Sequence, residues 1–431
     1  MTYLKDSKHI YFIGIGGIGI SAIARMLLLE GKQVTGSDQG ESPVTEELRK
    51  AGATVFIGHK AEQIPTDTDL IIRSNAIGET NPEYQHALTS GITMITYPEA
   101  LGEISENKFT IAIAGTHGKT TTTAMIARIA IDAQLDPSVI VGSLFKDSKT
   151  NFIAGNSKYL IVEADEYKRS FTHLSPDIIA INNIGLDHID YYKDLEDVKS
   201  AFRELLAKAK PGARVVGDMS DEIVREVATS SGLETIDTNS ISYSCLPNLL
   251  IPGAHNRHNA RTAYGVATAL DIEPEKICAS LGAFDGVWRR FEYKGVSATG
   301  AIIYDDYAHN PDKVKAALQG AFEAFPNKKI VFVFQPHLYS RTKAFLDEFA
   351  ANLAPAHEIV LLPIYAAREA LDTSITSEDL NNKIQICGNP FTHCVATIDE
   401  AVAYLKDKGE EYVIMTVGAG DVYKVGEKLV I

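Results

Sequence analysis

The stretch from Ile111 to Thr123 reads Ile-Ala-Ile-Ala-Gly-Thr-His-Gly-Lys-Thr-Thr-Thr-Thr. A short apolar run enters a glycine-bounded turn, and a helical apolar pattern (Ala124, Met125, Ile126, Ile129, Ala130) leaves it. Strand, tight turn and helix in that order call for α/β layering. The turn also carries a chemistry. Backbone N–H groups and the positive end of the helix dipole converge there on an anion. Gly115, Thr116, His117, Gly118, Lys119, Thr120 and Thr121 are therefore the predicted phosphate loop for ATP. Lys119 would reach the β/γ-phosphates and Thr120 would ligate Mg²⁺. Ile113 stands where the common form of this loop has its first glycine, so the loop is a shortened variant.

The rest of the chain repeats the same layering. His9 to Ile15 reads as a buried strand, followed by Gly14, Gly16, Gly17 and Gly19 and then a helix through Ala22, Ile23, Met26 and Leu27. A second strand, Gln33 to Gly36, runs into Asp38, about 20 residues past the last glycine, as a dinucleotide fingerprint requires. Taken alone, that turn leaves a dinucleotide and a UDP-sugar equally open, because any diphosphate satisfies it. The polar segment Gly102 to Lys108 reads as a linker. The predicted architecture is three α/β domains. They span residues 1–106, 107–291 and 292–431.

At 431 residues the chain has room for several cores. A formal net charge of −15 argues against nucleic acid as the main partner. No apolar run approaches the roughly 20 residues needed to span a bilayer. The N-terminus reaches strand one with no room for a signal peptide. A cytoplasmic protein without membrane insertion is expected. Cys245, Cys278, Cys387 and Cys394 form no ligand spacing and read as scattered buried thiols.

Further candidate groups sit at strand ends, where ligands bind in open α/β sheets. Glu163, in Glu-Ala-Asp-Glu, would offer Mg²⁺ a hard oxygen. His188 ends the neighbouring strand. Asp305 and Asp306 could hold ribose hydroxyls, with His309 facing a phosphate. Arg341, after His337, offers a bidentate fork for a carboxylate.

Taken together the motifs resemble the Mur ligase family, over essentially the whole chain. The carrying segments are HIYFIGIGGIGIS (9–21), GTHGKTTTT (115–123), EADE (163–166), GAHNRHN (253–259), GVWRRFE (286–292), DDYAHNP (305–311), QPHLYSRTK (335–343) and IYAARE (364–369). The resemblance implies that residues 1–106 are a Rossmann-like UDP-sugar-binding domain, 107–291 a central ATPase-type parallel sheet and 292–431 a second Rossmann-like domain that binds the amino acid and closes on ATP. It implies ATP-driven amide formation, with L-alanine joined to the lactyl carboxylate of UDP-N-acetylmuramate. It implies that Gly14, Gly16, Gly17 and Gly19 hold the UDP diphosphate, with Asp38, His59 and Ser74 at the uridine–ribose end. Thr120 and Glu163 would hold the Mg²⁺ on ATP, and Glu163 and His188 a second Mg²⁺. Asn259 would read adenine, Arg290 would serve ATP from the hinge at 286–292, and Asp306 would hold ribose. Lys119, Glu163, His188 and His309 would be catalytic. Tyr307, His337 and Arg341 would place the amino acid.

Departures accompany the likeness. Phe202 and Arg203 occupy the neighbourhood where some members carry a carbamylated Lys, so none is expected. Ser231 to Pro252 is short, so a small antiparallel sheet usual in relatives should be trimmed away. Tyr167 after Glu166 is similar to members that attach a tripeptide to the same UDP-sugar, which keeps that activity as an alternative. An NAD-dependent oxidoreductase is the alternative from another class, and it leaves Lys119, Glu163 and His188 without a role. Oligomeric state is not readable from the sequence.

Overall fold

The computed structural model describes residues 3–143, 150–188, 191–367 and 369–431. The chain divides into two compact units. One comprises residues 1–248 with 258–284, the other 249–257 with 285–431.

The first unit holds two sheets. In the N-terminal one the strands lie in the spatial order Thr54–Ile57, Gln33–Asp38, His9–Ile13, Leu70–Arg73, Thr93–Thr96, all parallel. The order reverses beside His9–Ile13, so the crevice for a ligand opens at its carboxyl end, at the turn Gly14–Gly19. All five residues of that strand are buried, as a sheet covered on both faces demands. The helix Ile18–Leu29 covers it through Ile20, Ile23, Met26 and Leu27.

The second sheet has the order Glu234–Asp237, Arg214–Gly217, Ile178–Ile181, Phe109–Ala114, Tyr159–Glu163, Ser138–Ile140, Phe152–Ile153. It is parallel except for the last short strand. Phe109–Ala114, which feeds the phosphate loop, is central. Its neighbours end in Glu163 on one side and Asn182 on the other. Residues 231–252 hold only the edge strand Glu234–Asp237 and two short 3-10 turns. Phe202 is buried edge-on to Phe171, and Arg203 pairs with Glu196 and Glu226.

The segment read as a linker is instead the second half of a helix, Tyr97–Glu106. Thr96 and Glu99 cap it reciprocally, and Pro98 starts it. Leu101 and Ile104 face the core, and Ser105 is buried because its hydroxyl accepts from Ser175 N at 2.9 Å. A Cβ at Gly102 would strike the backbone of His173. Polarity misled there because the buried polar groups have partners far along the chain.

The second unit carries one six-stranded sheet, Glu292–Val296, Ile302–Asp306, Tyr412–Val417, Lys329–Phe334, Glu358–Leu361, Thr392–Cys394. Only the edge strand Glu292–Val296 is antiparallel. Apolar layers cover both faces, one around Phe332, Phe334 and Phe349, the other around Val331, Val333 and Ile414.

The four thiols are unpaired but not buried. Cys245 and Cys387 are exposed, and Cys278 and Cys394 are half-buried. They lie on a 3-10 turn (Cys245), in the middle of a helix (Cys278), at a helix C-cap (Cys387) and on an edge strand (Cys394), outside the central strands that form the core. No described helix is long and apolar enough to cross a membrane.

Candidate active site

Gly115 and Gly118 adopt φ of +141° and +79°, values that favour glycine. A Cβ on Gly118 would also overlap the side-chain amides of Asn259 and Asn182. Gly118 caps the helix Lys119–Asp132 without any side-chain hydrogen bond, which leaves the first N–H groups for an anion. The loop is braced from the strand Ile178–Ile181. His117 N donates to Asn183 Oδ1 (2.9 Å), Thr116 Oγ1 accepts from Gly185 N (2.8 Å), and Asn182 Nδ2 donates to Thr122 Oγ1 (2.9 Å). Asn182 and Asn183 were not singled out from the sequence. Their signal was two adjacent amides at the end of an apolar strand. Asn259 is buried under Gly118, where it supports the loop.

Two carboxylates face this loop. Glu163 Oε1 accepts from Thr120 Oγ1 at 2.9 Å, and its Oε2 accepts from Gly142 N at 2.7 Å. Lys119 Nζ donates to Gly115 O (2.6 Å) and to Glu166 Oε2 (2.7 Å). Burial pulls the Lys119 ammonium down, but Glu166, Asp165 and Glu163 outweigh it and hold it above its ordinary value. Burial pushes Glu166 up, and Lys119, with His188 beside it, more than reverses this. The pair is ionised on both sides.

His188 is in the left-handed region at φ +53°. Its Nε2 lies 3.6 Å from Glu166 Oε1, and its ring is 4.8 Å from that of Tyr167. Burial lowers its pKa, and the Glu166 carboxylate facing it, together with Asp187, raises it further than burial lowers it. Asp165, Glu166 and His188 bring ligand atoms within 4.8 Å of one another. The sequence reading paired His188 with Glu163; the fold sets it beside Glu166 and Asp165. Oxygen donors at Thr120 and Glu163 suit a hard cation, as does this carboxylate-rich cluster.

At the N-terminal turn, Gly14 N and Ile15 N both donate to Ser37 O at 2.9 Å, and Gly16 N donates to Asp38 Oδ2 at 2.8 Å. A Cβ on Gly14 would press on Ser74, and one on Gly19 would strike the ring of Tyr97. Gly17 caps the helix Ile18–Leu29, again with no side-chain cap. His59 Nδ1 lies 2.9 Å from Ser37 Oγ and 3.0 Å from Glu83 Oε2. Glu83 is fully buried and also accepts from Tyr11 and Ser37. The fold thus gathers Gly14, Gly16, Asp38, Ser74 and His59 at one crevice, and adds Glu83 behind them.

In the other unit, Tyr307, His309, His337 and Arg341 converge at the ends of Ile302–Asp306 and Lys329–Phe334. His309 and His337 rings are 5.9 Å apart, and Arg341 Nη1 is 3.3 Å from His337 Nδ1. Tyr365 stacks on His337 at 5.8 Å. His309 Nδ1 lies 2.8 Å from Tyr307 O, and burial with nearby Lys313 and Arg341 holds its pKa well below the usual value, so the ring is neutral. Arg290 lies over the Tyr307 ring at 5.3 Å. Asp306 spends both oxygens on backbone, accepting from Phe291 N and Ala308 N at 2.8 Å each. Its neighbour Asp305 is buried and bound to Arg289.

A parallel sheet whose central strand feeds a Gly-Lys-Thr loop, with an acidic strand end at Glu163 beside it, defines a nucleotide-dependent phosphoryl-transfer protein. The comparisons place it more closely. Residues 9–109 match the Mur ligase family catalytic domain, 113–247 the Mur ligase middle domain, and 289–420 the Mur ligase glutamate ligase domain. A UDP-N-acetylmuramate–L-alanine ligase of Desulforapulum autotrophicum is 39% identical over 99% of this chain and 98% of its own length. One of Clostridium perfringens is 38% identical over 98% of both. The crystal structure of a UDP-N-acetylmuramate–alanine ligase from Thermotoga maritima superposes with a TM-score of 0.81 at 28% identity, covering 98% of each chain. A murein peptide ligase from Psychrobacter arcticus shares the fold, with a TM-score of 0.69 at 22% identity. The chain belongs to the Mur ligase family.

Proposed function

We propose that this protein uses ATP to join L-alanine to the lactyl carboxylate of UDP-N-acetylmuramate, a step of peptidoglycan precursor synthesis. The supporting observation is the set Lys119, Thr120, Glu163 and His188 around one phosphate loop, in a chain nearly co-extensive with relatives of that activity. A carboxylate is a poor electrophile, so the reaction begins by giving it a leaving group. The lactyl oxygen attacks the γ-phosphorus of ATP and ADP departs, leaving an acyl phosphate. The amine of L-alanine then attacks the acyl carbon, and phosphate leaves from the tetrahedral intermediate.

Each residue has a task in this scheme. The loop N–H groups and Lys119 stabilise charge on the moving phosphoryl group. Thr120 and Glu163 would hold Mg²⁺, which screens the phosphates when bound. His188 and its acidic neighbours are candidates for a second ion. Gly14, Gly16, Gly17, Gly19, Asp38, His59 and Ser74 bind the UDP end. His337 and Arg341 orient the amino-acid carboxylate beside Tyr307, and neutral His309 offers a hydrogen bond without repelling the ammonium group. Asn259 and Asp306 serve ATP indirectly, by shaping the loops at Gly118 and Ala308.

The test is phosphate release from ATP with UDP-N-acetylmuramate across alanine, glycine, serine and a tripeptide. Release dependent on L-alanine is the expected result. Release only with the tripeptide would transfer the reading to the recycling activity, and none with any acceptor would sink it.

A further inference from the structure

Glu166 is engaged by two systems at once. Its side chain is 3% exposed. Oε2 holds the Lys119 ammonium, while Oε1 is buried without a hydrogen-bond partner and faces His188 Nε2 at 3.6 Å. Asp165 completes a cluster of three ligand atoms within 4.8 Å. An orphaned buried carboxylate oxygen is costly, and burial magnifies that cost. The ammonium and a divalent cation would compete for the same carboxylate, since like charges that close repel strongly in a buried place.

We propose that Glu166 is a shared ligand: it clasps Lys119 at rest, and binds a divalent cation with Asp165 and His188 when Lys119 is drawn away to a phosphate. This rests on the ATP-dependent reading above. It adds that arrival of phosphate at Lys119 and occupation of the His188 site are coupled through one side chain. Filling of the loop releases the carboxylate, and the cation then neutralises it. Lys119 also keeps its link to Gly115 O, so its ammonium is poised within the loop.

The clasp can be opened without nucleotide. Lys119→Met removes the competing charge and leaves Glu166, Asp165 and His188 intact. Mn²⁺ is the probe, titrated against nucleotide-free protein and followed by electron paramagnetic resonance of the free ion. Lys119→Met should bind one Mn²⁺ at least about tenfold more tightly than the wild type, about 1.4 kcal/mol. Lys119→Met/Glu166→Gln and Lys119→Met/His188→Gln should each fall back to wild-type binding or weaker. Lys119→Gln serves in place of Lys119→Met if the latter fails to fold, as judged by circular dichroism. Equal Mn²⁺ affinity in wild type and the folded Lys119 variant overturns the proposal, as does tight binding that survives Glu166→Gln. The phosphate-release assay on the wild type is independent of these titrations, so failure of the ligase reading and failure of the shared ligand are told apart.

Discussion

Replacing Arg289 by Met should destabilise the C-terminal unit more than any change at the adjacent Arg290. Arg289 is 3% exposed and sits at φ +56°. Its Nε donates to Asp305 Oδ2 at 2.7 Å, Nη1 to Gly420 O at 2.9 Å and Nη2 to Gly418 O at 2.5 Å. One guanidinium therefore ties the start of the sheet to the loop after Tyr412–Val417. Met approximates its length but leaves Asp305 buried without its counter-charge, and breaking such a pair costs about 3–5 kcal/mol. At about 2–4 °C per kcal/mol for a unit of this size, the melting temperature should drop by roughly 6–20 °C.

The pH dependence sharpens the test. Burial pushes Asp305 up to about 6 despite Arg289, from an ordinary 3.8. A carboxyl raised on folding lends stability that is fully present below its unfolded value and is lost as pH rises through its folded value. Without Arg289 the folded value climbs further, so that loss continues past pH 6 in the variant alone. The gap in melting temperature should widen from about pH 6 to about pH 8, and Arg289→Met/Asp305→Asn should recover more than half of it. Differential scanning calorimetry across that range is the assay. A variant melting within about 2 °C of the wild type at the upper pH, or a gap that narrows, would refute the reasoning.

Three further outcomes are expected. Gly118→Ala forces a side chain into φ +79° and onto Asn259, with strain of about 1–3 kcal/mol, and should weaken ATP-analogue binding at least about tenfold by calorimetric titration. Binding within twofold would contradict the loop geometry. Glu83→Gln should raise KM for the UDP-sugar with little change in kcat. Ser37 donates its proton to Glu83, so His59 Nδ1 meets both as a donor and the ring is held in one orientation. A fall in kcat at constant KM would argue against that positioning. The Lys119–Glu166 pair should stabilise over a broad plateau. Glu166, held below its ordinary 4.5, contributes above that pH and loses its effect as pH falls, while Lys119, held above 10.5, loses its effect only as pH rises through its folded value. The melting difference between wild type and Glu166→Gln should shrink toward pH 4 and also step down as pH rises above 6.5 through the raised value of His188, which loses its Glu166 partner in the variant; a difference that persists undiminished at pH 4 would count against the pairing.

Much of the fold was legible because its signals are local. Apolar runs ending in Gly14–Gly19 and in Gly115–Gly118 are strand-then-turn patterns, and both turns stand at strand ends as read. The linker reading of Gly102–Lys108 failed because Ser105 looks like a surface residue until Ser175 is known to lie against it. The buried-thiol reading failed for a similar reason, since cysteine type does not reveal which face of a helix meets the core. Among the site residues, the clustering of Tyr307, His309, His337 and Arg341 follows from two parallel strands, Ile302–Asp306 and Lys329–Phe334, that end together on either side of Tyr412–Val417. The roles of Asp305 and Asp306 were not separable by motif. One faces Arg289 in the core, and the other folds back on its own loop.

Residue types and spacing by themselves determined the layering, the two glycine turns and the chemistry that Lys119 and Thr120 can perform. These depend on φ freedom, helix dipoles and side-chain functional groups within a dozen residues. Only the tertiary structure decided that Lys119 rests on Glu166, that His188 faces Glu166 instead of Glu163, and that Asn182 and Asn183 brace the loop. Those partners lie tens of residues apart, and the order of strands in the sheet, set by burial of whole elements, determines which carboxylate arrives within 3 Å of which cation.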